Sequence, residues 1–475
     1  MRILKIFRCI LCFVSISQIS IAETSEKLPT STTESRLQKA KLAEELFKTL
    51  TFYQDGKGMV VPTGPVAFGE SPFLNLLDPI KNKVGIMIED NQFVGLFKRT
   101  YKETNLLTAG CVACHSGKAA GQYIVGIGNK NIDAHELGAL LKKIAAVMRA
   151  YNKVKKTEGI EEMSDNAERF YKRLMDADIN NLTQGLVPTT VIRSWYYDIQ
   201  NLPIPKGINR GQVKVPHFFG YGEKRPVGLF VDGKAEGHPP GWGLAVEFVG
   251  GQTVENIRSM MPKMEEAETL LGDFLPPKYP FAINQHLVPQ GEEVFLENCA
   301  RCHGTYNNDA EGLPIYEAPE LIPWNQVQTD ADRLKDFEKF IPVIKSSPLG
   351  DLTIMHNNPP AYFAPRLHAI WSRFPYLHNA SVPSITALLT EEDQRPEVFS
   401  LKDSGEYYRF DQQRLGLTVA NSDSSAYKNL LKKAKTGDRS IFYAARNGHG
   451  NEGHRFGTEL SDEAKTALIE YLKTL

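Results

Sequence analysis

Residues 291–303 read Gly-Glu-Glu-Val-Phe-Leu-Glu-Asn-Cys-Ala-Arg-Cys-His, and the last five of them repeat a pattern from earlier in the chain. The earlier copy, at residues 111–115, reads Cys-Val-Ala-Cys-His. Each copy places two thiols three positions apart, close to one helical turn, and an imidazole directly after the second thiol. The two copies use four of the six cysteines in the 475-residue chain. The same chemistry is therefore expected at two places.

Cys-x-x-Cys-His is the pattern to which a c-type haem is attached. Two thiols add across the two vinyl groups of one porphyrin, and the adjacent histidine ligates the iron. We therefore expect two covalently bound haem c groups as cofactors. The predicted attachment residues and proximal iron ligands are Cys111, Cys114, His115, Cys299, Cys302 and His303.

Three other interpretations of the repeated pattern are weaker. A disulfide redox pair needs Cys-x-x-Cys but has no use for a histidine after each pair. A zinc site could use four thiolates, but both histidines would then be coincidental. A chance match is far rarer for two copies than for one. The two-haem interpretation is the one that uses every residue of both motifs.

Residues 1–22 have the features of a secretory signal peptide. Lys5 and Arg8 give a basic start, residues 10–16 are mainly apolar, and residues 20–22 suit cleavage after residue 22. A membrane anchor is the alternative, but the apolar run is short and interrupted by polar residues. We expect a periplasmic or secreted protein without a transmembrane segment after signal removal. The net charge of −1 gives no general attraction to nucleic acid.

The length of the chain exceeds one compact core and predicts more than one domain. We expect an N-terminal haem domain over residues 23–285 and a C-terminal cytochrome c domain over residues 286–475. The expected fold class is mainly α, with two cytochrome c-like haem domains, long irregular loops and little β. Residues 201–243 are rich in Pro, Gly and aromatics. This segment either covers a haem face or forms its own aromatic cluster.

The C-terminal domain has a pattern of two helices that cross. Gly291 and Phe295 are four positions apart and share one helix face. Ser461 can cap a terminal helix whose apolar stripe includes Ala467 and Tyr471. A glycine on one helix allows the close approach of an aromatic residue on another. Such a crossing of first and last helices is typical of class I cytochrome c folds, which residues 286–475 resemble.

The chain also resembles the bacterial di-haem peroxidases, the methylamine-utilisation di-haem enzyme and, more closely, the rubber-oxygenase-like di-haem cytochromes. The resemblance covers most of the C-terminal domain and the surroundings of the first motif, and it is weak between residues 150 and 285. Ala380 stands where the family usually has Gly. The matching segments are Asn-Asn-Pro-Pro at 357–360, Ala-Pro-Arg-Leu at 364–367, Ile-Trp at 370–371, Pro-Tyr-Leu-His-Asn-Ala-Ser-Val-Pro at 375–383 and Gly-His-Arg-Phe-Gly-Thr at 453–458.

The resemblance points to His454 as the second axial ligand of the C-terminal haem. The alternative role for His454 is to cap the terminal helix, and the alternative ligand is Met355, the only methionine after the second motif. The other histidines in this region are His356, His368, His378 and His449, and we expect His378 to be a structural, hydrogen-bonding residue.

Three further residues are candidates for the haem surroundings. His217, in an aromatic segment, could ligate the first iron or act as a catalytic acid–base group, or it could be an ordinary loop histidine. Arg366 could bind a haem propionate, because its planar fork matches a carboxylate, or form a surface ion pair. Trp371 could carry electrons between haems, although core packing is the more frequent role of a buried Trp.

The leading functional hypothesis is haem-iron redox chemistry divided between two sites. The N-terminal haem would activate hydrogen peroxide or oxygen, as a peroxidase or oxygenase does, and the C-terminal haem would relay electrons. The expected partner is a small redox donor or acceptor protein. The alternative is a pure electron-transfer cytochrome with both irons six-coordinate. A haem-bearing sensor or binding module is a third hypothesis.

Overall fold

The structure is a computed structural model that describes residues 35–49, 60–62, 83–89, 92–101, 104–156, 159–176, 182–188, 196–197, 199–203, 211–219, 235–237, 253–259, 261–262, 274–310, 312–316, 321–356, 358–402 and 409–475. The predicted signal peptide lies outside these residues, as does most of the aromatic segment 201–243.

Helices supply most of the regular structure in the described part of the chain, which confirms the expected mainly α class. They are α1 (Arg36–Thr49), α2 (Cys111–Cys114), α3 (Ala134–Lys155), α4 (Ile160–Asp176), α5 (Val288–Asn298), α6 (Ala300–His303), α7 (Trp324–Val327), α8 (Asp332–Ser346), α9 (Ile385–Leu388), α10 (Ser425–Lys435) and α11 (Asp462–Leu472). Short 3₁₀ turns cover Gly350–Leu352, Ile370–Ser372 and Glu392–Gln394.

The strands are two to six residues long and pair antiparallel. They are β1 (Val60–Pro62), β2 (Ile88–Glu89), β3 (Gln92–Phe93), β4 (Leu96–Tyr101), β5 (Thr104–Ala109), β6 (Ser116–Ala119), β7 (Gln122–Val125), β8 (Leu186–Pro188), β9 (Gln212–Lys214), β10 (Ala235–Gly237), β11 (Tyr306–Asn308), β12 (Pro314–Tyr316), β13 (Leu321–Pro323), β14 (Thr353–Met355), β15 (Ala361–Phe363), β16 (Val398–Ser400), β17 (Phe410–Asp411), β18 (Gly416–Leu417) and β19 (Ile441–Tyr443).

The sheets of the described residues are small. One has three strands in the order β1-β5-β4, and the others are pairs. The pairs β2-β3, β6-β7, β8-β9, β11-β12 and β17-β18 join consecutive strands, whereas β10-β14, β13-β15 and β16-β19 join strands further apart. The hairpin β4-β5 runs directly into α2, and the hairpin β6-β7 follows α2. The first Cys-x-x-Cys-His motif is therefore held between two hairpins.

Side-chain caps fix the starts of two helices. Asp133 accepts hydrogen bonds from the backbone amides of His135 and Glu136 and so caps α3. Ser461 accepts from the amide of Ala464 at 3.2 Å, which confirms the cap of the terminal helix α11.

The predicted helix crossing is confirmed. Gly291 on α5 lies so close to α11 that a Cβ atom there would be 2.0 Å from the carbonyl oxygen of Ala467. Phe295, one turn later, is fully buried, and its ring centre lies 5.3 Å from that of Tyr471. The crossing thus depends on the missing side chain of one residue and the ring of another.

One hydrophobic core joins parts of the chain that lie far apart in sequence. It contains Val112 and Phe219 together with Phe295, Trp371 and Leu468. A second cluster packs α8 against residues of α3 and α4. Residues 35–475 form one compact unit, and the domain boundary expected near residue 285 stays a prediction. Within the described residues, no helix has the length and apolar character needed to cross a membrane.

Candidate haem sites

The first motif presents its histidine in a fixed orientation. Nδ1 of His115 lies 2.8 Å from the backbone oxygen of Pro216. Because a carbonyl oxygen only accepts, Nδ1 carries the proton and Nε2 is left with its lone pair for a metal. Phe218 packs its edge against the imidazole, with ring centres 4.6 Å apart. Its amide donates to Gly126, whose own amide donates to His115. The imidazole therefore has little freedom to turn.

The second motif repeats this arrangement with different residues. Nδ1 of His303 lies 2.8 Å from the backbone oxygen of Pro365, so it is the donor here too. The hydroxyl of Tyr306 donates to the backbone oxygen of His303 and accepts from the amide of Leu367. Tyr306 thus ties the loop that carries Pro365 to the motif itself.

Burial sets the protonation of these groups. It lowers the pKa of His115 to about 4, against a raising effect of the Pro216 hydrogen bond. It also lowers the pKa of His303. Both imidazoles are therefore neutral at pH 7, as an iron ligand must be. Burial raises the pKa of Cys114 and of Cys299 to about 11. Redox-active cysteines have depressed values instead.

His454 lies opposite the second motif. Its ring centre is 6.2 Å from that of His303, with an angle of 47° between the rings. A metal held between two imidazole nitrogens at about 2 Å each separates the ring centres by roughly 6 Å. Nδ1 of His454 is buried without a hydrogen-bond partner. Burial, then the charges of His303 and Arg395, lower its pKa to about 4. The residues present here fit a haem iron with two histidine ligands.

The loop that carries His454 is fastened from several sides. Arg395 donates to the backbone oxygens of Asn451, Gly453 and His454. The amide of His454 donates to Val327 at 2.7 Å. Gly453 has a φ of +78°, and a Cβ atom there would be 2.4 Å from backbone atoms of residue 328, so only glycine fits. These contacts restrict the backbone of the loop that carries His454.

Three other candidate histidines have neighbours different from those of His454. His449 is fully buried between the hydroxyl of Thr183 and the backbone oxygen of Asn447. The ring of His378 stacks on Tyr362, as expected of a structural histidine. The ring of His368 packs against Tyr306. The backbone of Met355 pairs with Ala235 in the sheet β10-β14, and its side chain lies outside the described part of the structure.

The remaining predicted residues lie between the two motifs. His217 follows Pro216 directly and accepts a hydrogen bond on Nε2 from Arg373. The catalytic role of His217 stays a prediction. Arg366 follows Pro365 and is buried. Its propionate role stays a prediction as well.

Trp371 is fully buried in the core. Its Nε1 atom donates to the backbone oxygen of Pro277 at 3.4 Å, and its ring packs against Tyr279 and Phe410. These contacts are those of a packing residue. Within the described residues, no group of three or more His, Cys, Asp or Glu side chains is placed to share one metal ion.

Sequence reasoning missed the two prolines as acceptors and the two arginines that hold the loops. The signal for the prolines is faint: each precedes a basic residue and a large apolar one, as Pro216-His217-Phe218 and as Pro365-Arg366-Leu367. The roles of Arg373 and Arg395 have no local signal, because Arg373 donates to the imidazole of His217 and Arg395 to backbone oxygens of residues 451, 453 and 454, all distant in sequence.

Residues 361–400 match the family model described as RoxA-like, cytochrome c-like. The match supports a haem c cytochrome of the RoxA-like kind. It covers β15, the Trp371 turn, α9 and Arg395, and so includes the Pro365 loop that orients His303. Covalent haem and redox function follow from this kind of domain.

Two curated relatives are also similar, both from Sinorhizobium fredii (strain NBRC 101917 / NGR234). "Uncharacterized protein y4iJ" is 36% identical over 126 residues, which is 25% of this chain and 18% of that protein. "Uncharacterized protein y4iM" is 29% identical over 245 residues, which is 42% of this chain and 52% of that protein. The matched regions thus span about half of one relative and about a fifth of the other.

Proposed function

We propose that this protein is an exported di-haem c cytochrome with an enzymatic role. One haem c would be attached at each motif. The C-terminal site would relay electrons, and the N-terminal site would activate hydrogen peroxide or oxygen. The observation that carries the proposal is the duplicated orientation of His115 and His303, each through an Nδ1–proline carbonyl hydrogen bond of 2.8 Å.

The duplication supports two haems rather than one. A histidine with a purely structural role does not need a fixed ring orientation next to two half-buried thiols. Here two loops with different sequences each provide a proline carbonyl oxygen as the acceptor for Nδ1 of the motif histidine. Pro216 lies 101 positions from His115, and Pro365 lies 62 positions from His303. Haem iron supplies reversible one-electron chemistry when bound.

The division of labour rests on the difference between the far sides of the two sites. His454 faces His303 at a separation that suits a second axial ligand. Such a closed site suits electron relay, whereas activation of peroxide or oxygen needs a side that is open or weakly held. For the first site, the described residues place Pro216 and Phe218 against the imidazole of His115.

The first test counts haems. Full-length protein produced in cells competent for cytochrome maturation should gain the mass of two haem groups, and replacement of His115 or His303 should alter the spectrum of one haem each. Protein without covalent haem would contradict the proposal.

The second test asks what each iron can bind. EPR of the oxidised protein should show one low-spin and one high-spin or weakly ligated centre, and cyanide or peroxide should change the signals of the second kind alone. Two low-spin centres that stay inert in every redox state would instead support a pure electron-transfer cytochrome.

A third test concerns export. Cell fractionation should locate the protein, and the masses of the precursor and of the mature protein should differ by the mass of the removed signal peptide.

A further inference from the structure

Arg373 joins the two loops that orient the proximal histidines. Its Nη1 donates to Nε2 of His217, the residue after Pro216. Its Nη2 donates to the backbone oxygen of Arg366, the residue after Pro365. Each of these neighbours is one residue from a proline carbonyl that accepts from a motif histidine. One guanidinium thus lies at the centre of a continuous route between His115 and His303.

The geometry of the guanidinium makes this a rigid link. A guanidinium only donates, so Nε2 of His217 must be the acceptor and the neutral imidazole carries its proton on Nδ1. The two donor groups belong to one planar fork and cannot move independently. A displacement of either proximal loop therefore displaces the other.

Lys214 strengthens the same link. Its ammonium donates to the backbone oxygens of Arg373 and Pro375, both at 2.8 Å. Lys214 lies two residues before Pro216 on the first proximal loop. Two cationic side chains, one from each side, thus fasten the loop at residues 211–219 to the segment at residues 373–375.

Arg373 also places a positive charge between the sites. Its side chain is buried, with 8% exposure. Burial lowers the pKa of Arg373 only to about 10, so it stays charged at neutral pH. The titratable groups that interact with it include Lys214, Tyr306 and Tyr376, and none of these is a carboxylate. Burial, then the charge of Arg373, lower the pKa of Lys214 to about 7, and burial raises the pKa of both tyrosines, so the tyrosines are neutral at pH 7. A buried cation near a haem favours the reduced iron, which carries one positive charge less.

We propose that Arg373 is a positioning residue that couples the two haem sites through their proximal loops and raises the reduction potential of both. This inference rests on the proposed presence of two haems. It adds that a displacement of the loop next to one haem changes the reduction potential of the other haem.

The experiment measures the midpoint potentials of both haems in full-length holoprotein by redox titration. Arg373→Gln should lower both potentials, and Arg373→Lys should restore part of the shift by restoring the charge without the fork. Arg446→Gln is the matched control, because within the described part of the chain Arg446 donates only to Thr183 and to backbone oxygens of residues 434, 438 and 441. It should leave both potentials unchanged.

A second pair of variants keeps the proposal testable if Arg373→Gln does not fold. His217→Leu removes the acceptor on the first loop, and His217→Gln retains one. Coupling requires His217→Leu to shift the potential of the second haem as well as the first, and His217→Gln to shift it less. Variants with both haems attached and the second potential unchanged would overturn the coupling while leaving the two-haem function intact. Wild-type protein with fewer than two haems would contradict the function itself.

Discussion

At the scale of single residues, the ring of His454 faces that of His303 at a separation that fits two ligands of one metal, whereas His449 contacts Thr183 and His378 stacks on Tyr362. Three separate contacts, from Arg395, Val327 and the glycine at 453, fix its backbone. Fixing the backbone of a loop residue costs conformational entropy, and a residue that only caps a helix does not require so many contacts. The position is better explained by a requirement for the imidazole to face His303.

Replacement of His454 by Ala should open the second haem. The expected result is a high-spin signal in EPR and a new ability of that haem to bind cyanide, because the far side of the iron loses its ligand. His449→Ala is the matched control: it removes a buried imidazole held by Thr183. It should destabilise the protein by about 1–3 kcal/mol and leave the haem spectra unchanged. An unchanged spectrum for His454→Ala would exclude this residue as a ligand and return attention to Met355.

Asp330 gives a pH dependence that can be separated from the haems. Burial first, then nearby Asp332 and Glu452, raise its pKa to about 6. As pH rises from about 4 to about 6, the unfolded chain loses this proton before the folded protein does, so stability falls by up to roughly 3 kcal/mol. Asp330→Asn keeps an oxygen for the amide of Asp332. Denaturation should show the variant gaining stability over wild type at pH 7.5 but not at pH 4; an equal effect at both values would contradict this.

At the scale of elements, the crossing of α5 and α11 is the best-defined packing contact of the C-terminal half. Gly291→Ala should cost about 1–3 kcal/mol, because the added methyl group meets the carbonyl oxygen of Ala467 and forces the helices apart. Gly138→Ala in α3 is the control, since its Cβ would have only ordinary contacts. The control should be neutral or stabilising by up to about 1 kcal/mol. Chemical denaturation of both variants gives the comparison.

The elements that sequence predicted are those whose causes are local. The cap at Ser461 needs three neighbouring residues, and the pairing of Gly291 with Phe295 needs one helical turn. The hydrogen bond from His115 to Pro216 joins residues 101 positions apart, and that from Arg373 to His217 joins residues 156 apart. No local pattern encodes such contacts, because donor and acceptor are brought together only by the tertiary fold.

One departure from the resembling family has a local explanation. The family usually has Gly where this chain has Ala380, and Ala380 adopts a φ of +57°. That conformation is the left-handed region in which glycine is unstrained and alanine costs roughly 1–2 kcal/mol. The backbone of the motif is therefore kept despite the substitution, and the difference at this position puts no functional residue in doubt.

At the scale of the whole molecule, the two haem motifs share one hydrophobic core. Val112 and Phe219 pack in the same cluster as Phe295 and Leu468, and α8 of the second half packs with residues of α3 and α4. The link through Arg373 crosses the same region. Loss of packing in either half would therefore expose apolar surface of the other, which makes separate unfolding of the halves unfavourable.

This shared core predicts one cooperative unfolding transition for the full-length holoprotein. Far-ultraviolet circular dichroism should report the helices, and the Soret signals should report the two haems. All three should have the same midpoint in guanidinium chloride, and a substitution at Gly291 should move all of them together. Two independently folded domains, as the boundary near residue 285 implies, would give separate midpoints, with Gly291→Ala shifting only the later haem. The two outcomes differ in whether the contacts within the cluster that contains Phe219 and Phe295 are lost in a single step. A single step requires that unfolding of one half destabilises the other half through this cluster.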